Sequence, residues 1–238
     1  MEKMRLVIAS GNGHKIEEIA AILAGAGLSH LQVVGMKSLG RSAPDIDESA
    51  DDFAGNALLK VQGVSKWLAH EFPGSRDLVL ADDSGICIDR LGGQPGIHSA
   101  RFAGSNKAGE EQDRENNKKV IHELERLGHR SSGAHYEVVL ALMCTWKDLL
   151  LPTENTFLKK EESERGGALL VRGRCDGEFR SVPQGERGFG YDPHFWLSEE
   201  SRSFAELGQE EKSKRSHRGQ AMRALIRLLA ALSGQITS

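Results

Sequence analysis

The sequence predicts an α/β fold on three observations: short apolar runs that read as buried strands, amphipathic segments at helical spacing between them, and polar turns where one gives way to the other. The first run is Leu6-Val7-Ile8-Ala9. It ends in Ser10-Gly-Asn-Gly-His-Lys15, after which Ile16, Ile19, Ala20 and Leu23 resume at helical spacing. The chain therefore opens as strand, glycine turn, helix. Ala57, Val61, Val64 and Leu68 stand at i, i+4, i+7 and i+11 of a second helix, leaving Asn56 and Lys60 together on an adjoining face. Leu78-Val79-Leu80-Ala81 is a second buried strand, expected to stop at Asp82-Asp83-Ser84-Gly85.

Further along, the polar stretch from Asn106 carries Val120, Ile121, Leu124 and Leu127 in its second half, with Gly128 at the position after the helix end. A surface helix is expected there. Tyr136 to Met143 and Ala168 to Val171 read as strands, and the charge and glycine of Lys159-Lys-Glu-Glu-Ser-Glu-Arg165-Gly-Gly predict an exposed peripheral loop over about 147–167. Ala221, Leu225, Leu228 and Leu229 fall in helical register behind a basic run from Lys212 to Arg218. With no internal repeat and no low-complexity linker, 1–238 reads as a single domain.

Composition excludes several classes. The 31 Lys and Arg against 34 Asp and Glu leave a net charge of -3, which lacks the basic footprint of a duplex nucleic-acid binder. No run approaches the roughly 18 apolar residues of a membrane span, and Met1-Glu-Lys-Met-Arg5 passes straight into a strand without the apolar core of a signal peptide. Cys87, Cys144 and Cys175 are widely spaced and form no C-x-x-C pair, so they read as buried thiols of a cytoplasmic protein.

Four segments carry chemistry. Ser10 to Lys15 joins a strand to a helix N-terminus, where glycine amides, the helix dipole and a lysine converge as they do on a phosphate. It is neither a Walker A loop nor G-x-G-x-x-G, and by itself such a segment is more often an ordinary turn. Asp82-Asp83-Ser84-Gly85 brings two carboxylates to the end of a strand. Alternation sends one to each face, so one is expected in a ligand crevice and the other to brace the turn. Together with Asp45-Ile-Asp-Glu48 it suits Mg²⁺, which takes one or two carboxylates; an isolated motif of this kind is more often structural. Gly188-Phe-Gly-Tyr-Asp192-Pro reads equally as a base-stacking surface or as a tight turn packed by its aromatics. Lys212-Ser-Lys-Arg-Ser-His217-Arg218 can meet phosphate or a carbonyl-rich base edge, although charge runs are more often solvated helix faces.

In combination these segments are specific. With Glu48, Asp52-Phe-Ala-Gly-Asn56-Ala-Leu-Leu-Lys60 and Gly92-Gly-Gln-Pro-Gly-Ile-His-Ser-Ala-Arg101 they occur in one order from Leu6 to about Leu229. The chain thereby resembles the inosine triphosphate pyrophosphatase family, which hydrolyses non-standard purine nucleoside triphosphates. The resemblance implies a mixed central sheet with flanking helices, two lobes around a cleft, a Mg²⁺-dependent homodimer, and cleavage between the α and β phosphates to a nucleoside monophosphate and pyrophosphate. On it, Ser10, Gly11, Asn12, Gly13, His14, Lys15 and Lys60 match phosphate-binding positions. Glu48 and Asp83 match metal positions, and Asp83 also matches the general base. Ser84 matches a substrate contact, while Phe189, Gly190, Tyr191, Asp192, Lys212, His217 and Arg218 match substrate and base recognition; Arg101 lies in a loop of the family without a settled role.

Two departures stand out: Ala50-Asp-Asp-Phe53 replaces the more usual Gly-x-Thr-Phe, adding charge near the metal positions, and Val61 replaces a small alanine. His217 and Arg218 would donate to the 6-oxo oxygen of hypoxanthine or xanthine and leave adenine's 6-amino group unpaired. The rival readings are a Maf-type pyrophosphatase with another base preference and a nucleotide-binding module without turnover.

Overall fold

Parallel strands in the middle of a sheet must be apolar on both faces, and the first predicted run meets that demand. Leu6, Val7 and Ile8 of β1 (Met4–Ile8) are fully buried, with β2 (Leu31–Gly35) parallel on one side and β3 (Asp77–Ile88) parallel on the other. Leu6 lies opposite both Val33 and Leu78. Arg5 fastens the start of this layer by donating from Nε and Nη2 to the two oxygens of buried Asp77 at 2.6 and 2.8 Å. In this computed structural model residues 4–28, 31–146, 158–161, 167–197 and 199–231 are described.

The remaining strands are β4 (Ser131–Cys144), β5 (Leu158–Glu161), β6 (Ala168–Arg180), β7 (Phe195–Leu197) and β8 (Arg202–Ser203). They extend the sheet in the order β2-β1-β3-β4-β6-β7-β8, with β5 beside β6. Pairings β5 to β6, β6 to β7 and β7 to β8 are antiparallel, so the sheet is mixed, as the resemblance implies. Helices α1 (Gly13–Gly25) and α2 (Phe53–Glu71) bury the stripes expected of them: Ile19 and Leu23 on α1, and Ala57, Val61, Val64 and Leu68 on α2. Val61 therefore sits in the core. The other helices are α3 (Gly109–Arg126), α4 (Gln209–Arg215) and α5 (His217–Ala231), and on α5 Ala221, Leu225, Leu228 and Leu229 are buried.

The chain divides into two compact units. The first holds residues 1–83, 139–172 and 220–238; the second holds 84–138 and 173–219. The core of the second is aromatic: Tyr136 packs on Phe195 and stacks parallel to Phe204, and Phe195 meets Phe204 edge to face at 4.8 Å. No helix among the described residues is long and apolar enough to cross a membrane.

Four expectations need correction. Strand β3 does not stop at Asp82 but continues to Ile88, because its carboxylates are matched by lysines and Ser99 Oγ accepts the Ile86 amide at 2.9 Å. Gly85 is needed for close approach, not for a turn: a Cβ there would collide with the Gly96 carbonyl and the Ser99 hydroxyl. Within the expected loop at 147–167, Leu158–Glu161 instead forms β5, paired with Ala168–Val171. Its single apolar residue carries no period-two signal, and backbone pairing alone makes it a strand; 147–157 and 162–166 lie outside the described residues. Helix α3 is more than a surface helix, since Gln112, Asn116 and Asn117 are buried. Finally, the basic run is split between α4 and α5 at Ser216, and Lys212, His217 and Arg218 are buried while Lys214 stays exposed.

Candidate active site

In the first unit the loop from Ser10 to Lys15 caps its own helix. Asn12 is the N-cap of α1, its Oδ1 accepting from the amides of His14 at 3.0 Å and Lys15 at 3.4 Å, and Ser10 Oγ accepts from the amide of Asn12 at 3.1 Å. Asn12 thus satisfies amides that helices leave exposed, the role its residue type favours. Gly11 and Gly13 have ordinary backbone angles, and a Cβ on either would meet nothing within 4 Å. The chain's own packing does not demand glycine at these two places. Gly11, Asn12, Gly13 and His14 are all exposed.

Strand alternation divides the two aspartates as expected. Asp82 accepts Lys15 Nζ at 2.6 Å, whereas Asp83 Oδ1 accepts Lys60 Nζ at 2.6 Å. Lys60 also donates to Glu48 Oε2 at 3.2 Å and to the Asp82 carbonyl at 3.2 Å. One ammonium thus links Glu48, from the segment before α2, to Asp83, from β3. The second oxygen of Asp83 is buried and has no hydrogen-bond partner among the described residues. Burial raises the Asp83 carboxyl above the ordinary aspartate range, against the pull of Lys60 and Lys15. For Lys60, burial is the largest influence and works against the charge, but the attraction of Asp83, Glu48 and Asp82 outweighs it and the ammonium is held more firmly than usual.

Asp52 explains the departure at Ala50 to Phe53. It is the N-cap of α2, accepting the Gly55 amide at 2.7 Å, so its charge is placed at a helix N-terminus. Asn56, expected beside Lys60 on the face adjoining the apolar stripe, is fully buried, and its Oδ1 takes the amide of Ala50 at 3.0 Å, two residues beyond Glu48.

In the second unit the Phe189 to Asp192 segment is a tight turn. Asp192 Oδ2 accepts the Phe189 amide at 2.9 Å and Lys212 Nζ at 2.6 Å. Gly188 has φ +80°, and a Cβ would strike the Asp192 carboxylate. Lys212 Nζ lies 4.8 Å above the centre of the Phe189 ring. Tyr191, expected as part of a stacking surface, is instead buried with its hydroxyl donating to the Ser99 carbonyl at 2.8 Å, so only Phe189 of the two rings is partly open. His217 stacks on Tyr136 with centroids 4.7 Å apart and an 8° interplanar angle. Arg218 Nη2 donates to Ser84 Oγ at 3.0 Å, and exposed Arg101 ends the short helical segment Gly96–Arg101.

Sequence reasoning overlooked Tyr136 as part of this group. It reads as an ordinary strand aromatic, yet it is the platform under His217, and its hydroxyl lies 3.5 Å from Asp192 Oδ1. Its full burial among acidic neighbours keeps the phenol protonated far above the ordinary tyrosine range.

Lysines set against buried carboxylates just past the part of β3 that pairs in parallel with β1 suit an α/β protein that handles phosphate with a divalent cation. The sequence pattern of the Ham1 family matches residues 6–228. A dITP/XTP pyrophosphatase of Streptomyces avermitilis is 38% identical over 230 residues, covering 97% of this chain and 99% of the relative. One from Leuconostoc mesenteroides is 36% identical over 222 residues, covering 93% and 94%. Among solved structures, a HAM1 protein from Coxiella burnetii superposes with a TM-score of 0.73 at 32% identity, covering 96% of this chain and 99% of that one. The chain belongs to the Ham1 family, the inosine triphosphate pyrophosphatase family of the resemblance.

Proposed function

We propose that the chain hydrolyses ITP, dITP and XTP between the α and β phosphates with Mg²⁺ as cofactor, releasing the nucleoside monophosphate and pyrophosphate. It is an enzyme of the Ham1 family, a hydrolase acting on the anhydride of nucleoside triphosphates with non-standard purines, and so removes deaminated purines from the nucleotide pool. The observation that carries the mechanism is the lysine-linked pair Glu48 and Asp83 with one buried Asp83 oxygen left without a donor among the described residues. A hard cation that takes one or two carboxylates and keeps water fits such a donor set. Glu48 and Asp83 would hold it. Bound there, Mg²⁺ supplies charge to the phosphate oxygens and acidifies water.

The chain's own groups do the rest. A triphosphate brings about four negative charges, so binding it is mainly charge compensation and alignment. Lys15 and Lys60 now face carboxylates; with substrate present their ammonium groups would also face phosphate oxygens. The amides of His14 and Lys15, taken by Asn12 in the free enzyme, lie where an anion at the α1 N-terminus would reach them. The open space at Gly11 and Gly13 supports the same reading, since a ligand approaching the backbone there meets no side chain. Asp83 would orient the attacking water; because a cation held on the same carboxylate lowers its proton affinity, positioning outweighs proton acceptance in this role. Ser84, Phe189, Gly190, Tyr191, Asp192, Lys212, His217 and Arg218 serve base and sugar recognition, with Phe189 the ring open to stack and Tyr191 acting through its backbone and its anchoring hydroxyl.

Three buried cysteines outside any disulfide suit a reducing cytoplasm, and the homodimer implied by the resemblance completes the reading. The test is a panel of ITP, dITP, XTP, GTP and ATP with Mg²⁺, scoring pyrophosphate and orthophosphate separately. Pyrophosphate and IMP in one step from ITP are expected. Orthophosphate with accumulating IDP would refute it, and light scattering checks the dimer.

A further inference from the structure

Helix α3 places Asp113 and Asn117 four residues apart, on one face of the helix. The amide of Gly190 donates to Asp113 Oδ2 at 2.8 Å, and Asn117 Nδ2 donates to the Gly190 carbonyl at 2.9 Å. Both backbone groups of one residue are thus held by two side chains of a helix that is remote in sequence. Gly190 sits between Phe189 and Tyr191 with φ +63°, and the turn itself is closed by Asp192 on the Phe189 amide. The next residue pattern on α3 repeats the device: Asn116 Oδ1 accepts the Ala103 amide at 2.8 Å and Asn116 Nδ2 donates to the Ser99 carbonyl at 3.2 Å, the carbonyl that also receives the Tyr191 hydroxyl.

We propose that Asp113 and Asn117 are positioning residues for base selection, clamping Gly190 so that the Phe189 ring and the Asp192 to Lys212 pair are preset before substrate arrives. A turn whose residues have positive φ at two glycines has many alternative conformations, and selectivity needs the recognising groups held to a fraction of an ångström. Two hydrogen bonds, one on each of the peptide groups that flank the Gly190 Cα, supply that hold without themselves touching the nucleotide. The proposal rests on the reading that Phe189 to Asp192 takes part in base recognition.

The experiment measures kcat/KM for ITP and ATP, together with Tm, in wild type and in Asp113→Ala, Asn117→Ala, Asp113→Asn, Phe189→Ala and Leu124→Ala. The two alanine variants at the clamp should lower the ITP to ATP ratio by about tenfold, mostly through KM for ITP, as expected for loss of roughly one hydrogen bond's alignment. Asp113→Asn keeps an acceptor oxygen and should restore most of the ratio. Leu124→Ala opens a cavity in the same helix away from Gly190 and should lower Tm with the ratio unchanged. If the alanine chains do not fold, the isosteric Asn117→Asp, which sets an acceptor against the Gly190 carbonyl, should reproduce the loss. Should Leu124→Ala shift the ratio as much as the clamp variants at equal loss of Tm, the role is structural and the proposal is overturned. Should Phe189→Ala lower the ratio while the clamp variants leave it intact, the clamp is overturned and the base reading stands; an unchanged ratio in Phe189→Ala removes both.

Discussion

At Asp83 the two oxygens of one carboxylate have different fates, Oδ1 held by Lys60 at 2.6 Å and Oδ2 buried without a donor among the described residues. Asp83→Asn preserves shape but removes the charge that would hold the cation and orient water. Turnover should fall ~10³-fold or more with Tm little changed, read from steady-state kinetics beside a thermal melt. Glu48→Gln leaves one carboxylate fewer, so the Mg²⁺ concentration for half-maximal rate should rise about tenfold or more in a titration of chelator-treated enzyme. Arg218, which donates to Ser84, separates base reading from phosphate grip. If it reads the 6-oxo edge, Arg218→Ala costs ITP roughly 10- to 150-fold more in kcat/KM than ATP; a uniform loss across nucleotides assigns it to phosphate. That Asp82 and Asp83 would part company was legible from strand alternation, and they meet different lysines, Lys15 and Lys60. Tyr136 was not, because a strand aromatic looks the same in sequence whether it fills a core or supports a histidine.

At the scale of elements, α1 and α2 were legible because an amphipathic helix repeats its apolar face over several turns; the α2 stripe is buried as read, while on α1 Ile19 and Leu23 are buried and Ile16 and Ala20 half-buried. The N-cap of α2 gives a measurable consequence. Asp52→Ala removes the acceptor for the Gly55 amide and should cost about 1 kcal/mol, seen as a lowered denaturation midpoint while activity per folded molecule at saturating Mg²⁺ is retained. The extension of β3 through Asp82 to Ile88 was hidden, since carboxylates and glycine normally end a strand. What keeps that segment extended is supplied from elsewhere: Lys15 from α1, Lys60 from α2, and Ser99 from the segment after Pro95. Likewise β5 exists only through its partner β6.

Across the whole molecule, Cys87, Cys144 and Cys175 are buried and none is in a disulfide among the described residues. Burial pushes Cys87 from an ordinary 9.0 to about 11 and Cys175 to about 12, so neither forms appreciable thiolate near neutrality. A thiol reagent at pH 8 should label Cys87 and Cys175 in the native protein at a small fraction of the rate seen after denaturation. The folded chain keeps a proton that the unfolded chain gives up above pH 9, so these two groups leave stability untouched below pH 9 and reduce it as pH rises from there towards 11 and 12. Chemical denaturation midpoints compared at pH 8 and pH 10.5, in wild type and in a Cys87→Ala, Cys175→Ala double variant, check the sign: the alkaline loss should be smaller in the variant.

The sequence by itself determined the α/β class and the two helices that carry Lys15 and Lys60, because these depend on local periodicity and on short motifs whose order survives in one dimension. It also carried the family, since several such motifs in one order are specific where each alone is not. Only the tertiary structure decided which groups are partnered: Asn12 on its own helix amides, Tyr191 on Ser99, His217 on Tyr136, and Asp113 with Asn117 on Gly190. Each of these needs a residue tens of positions away, or a cap geometry that several turn types share. The physical reason is that burial and hydrogen-bond partnership are properties of neighbours in space, and a polar residue on a helix reads the same in sequence whether it faces water or holds a distant turn in place.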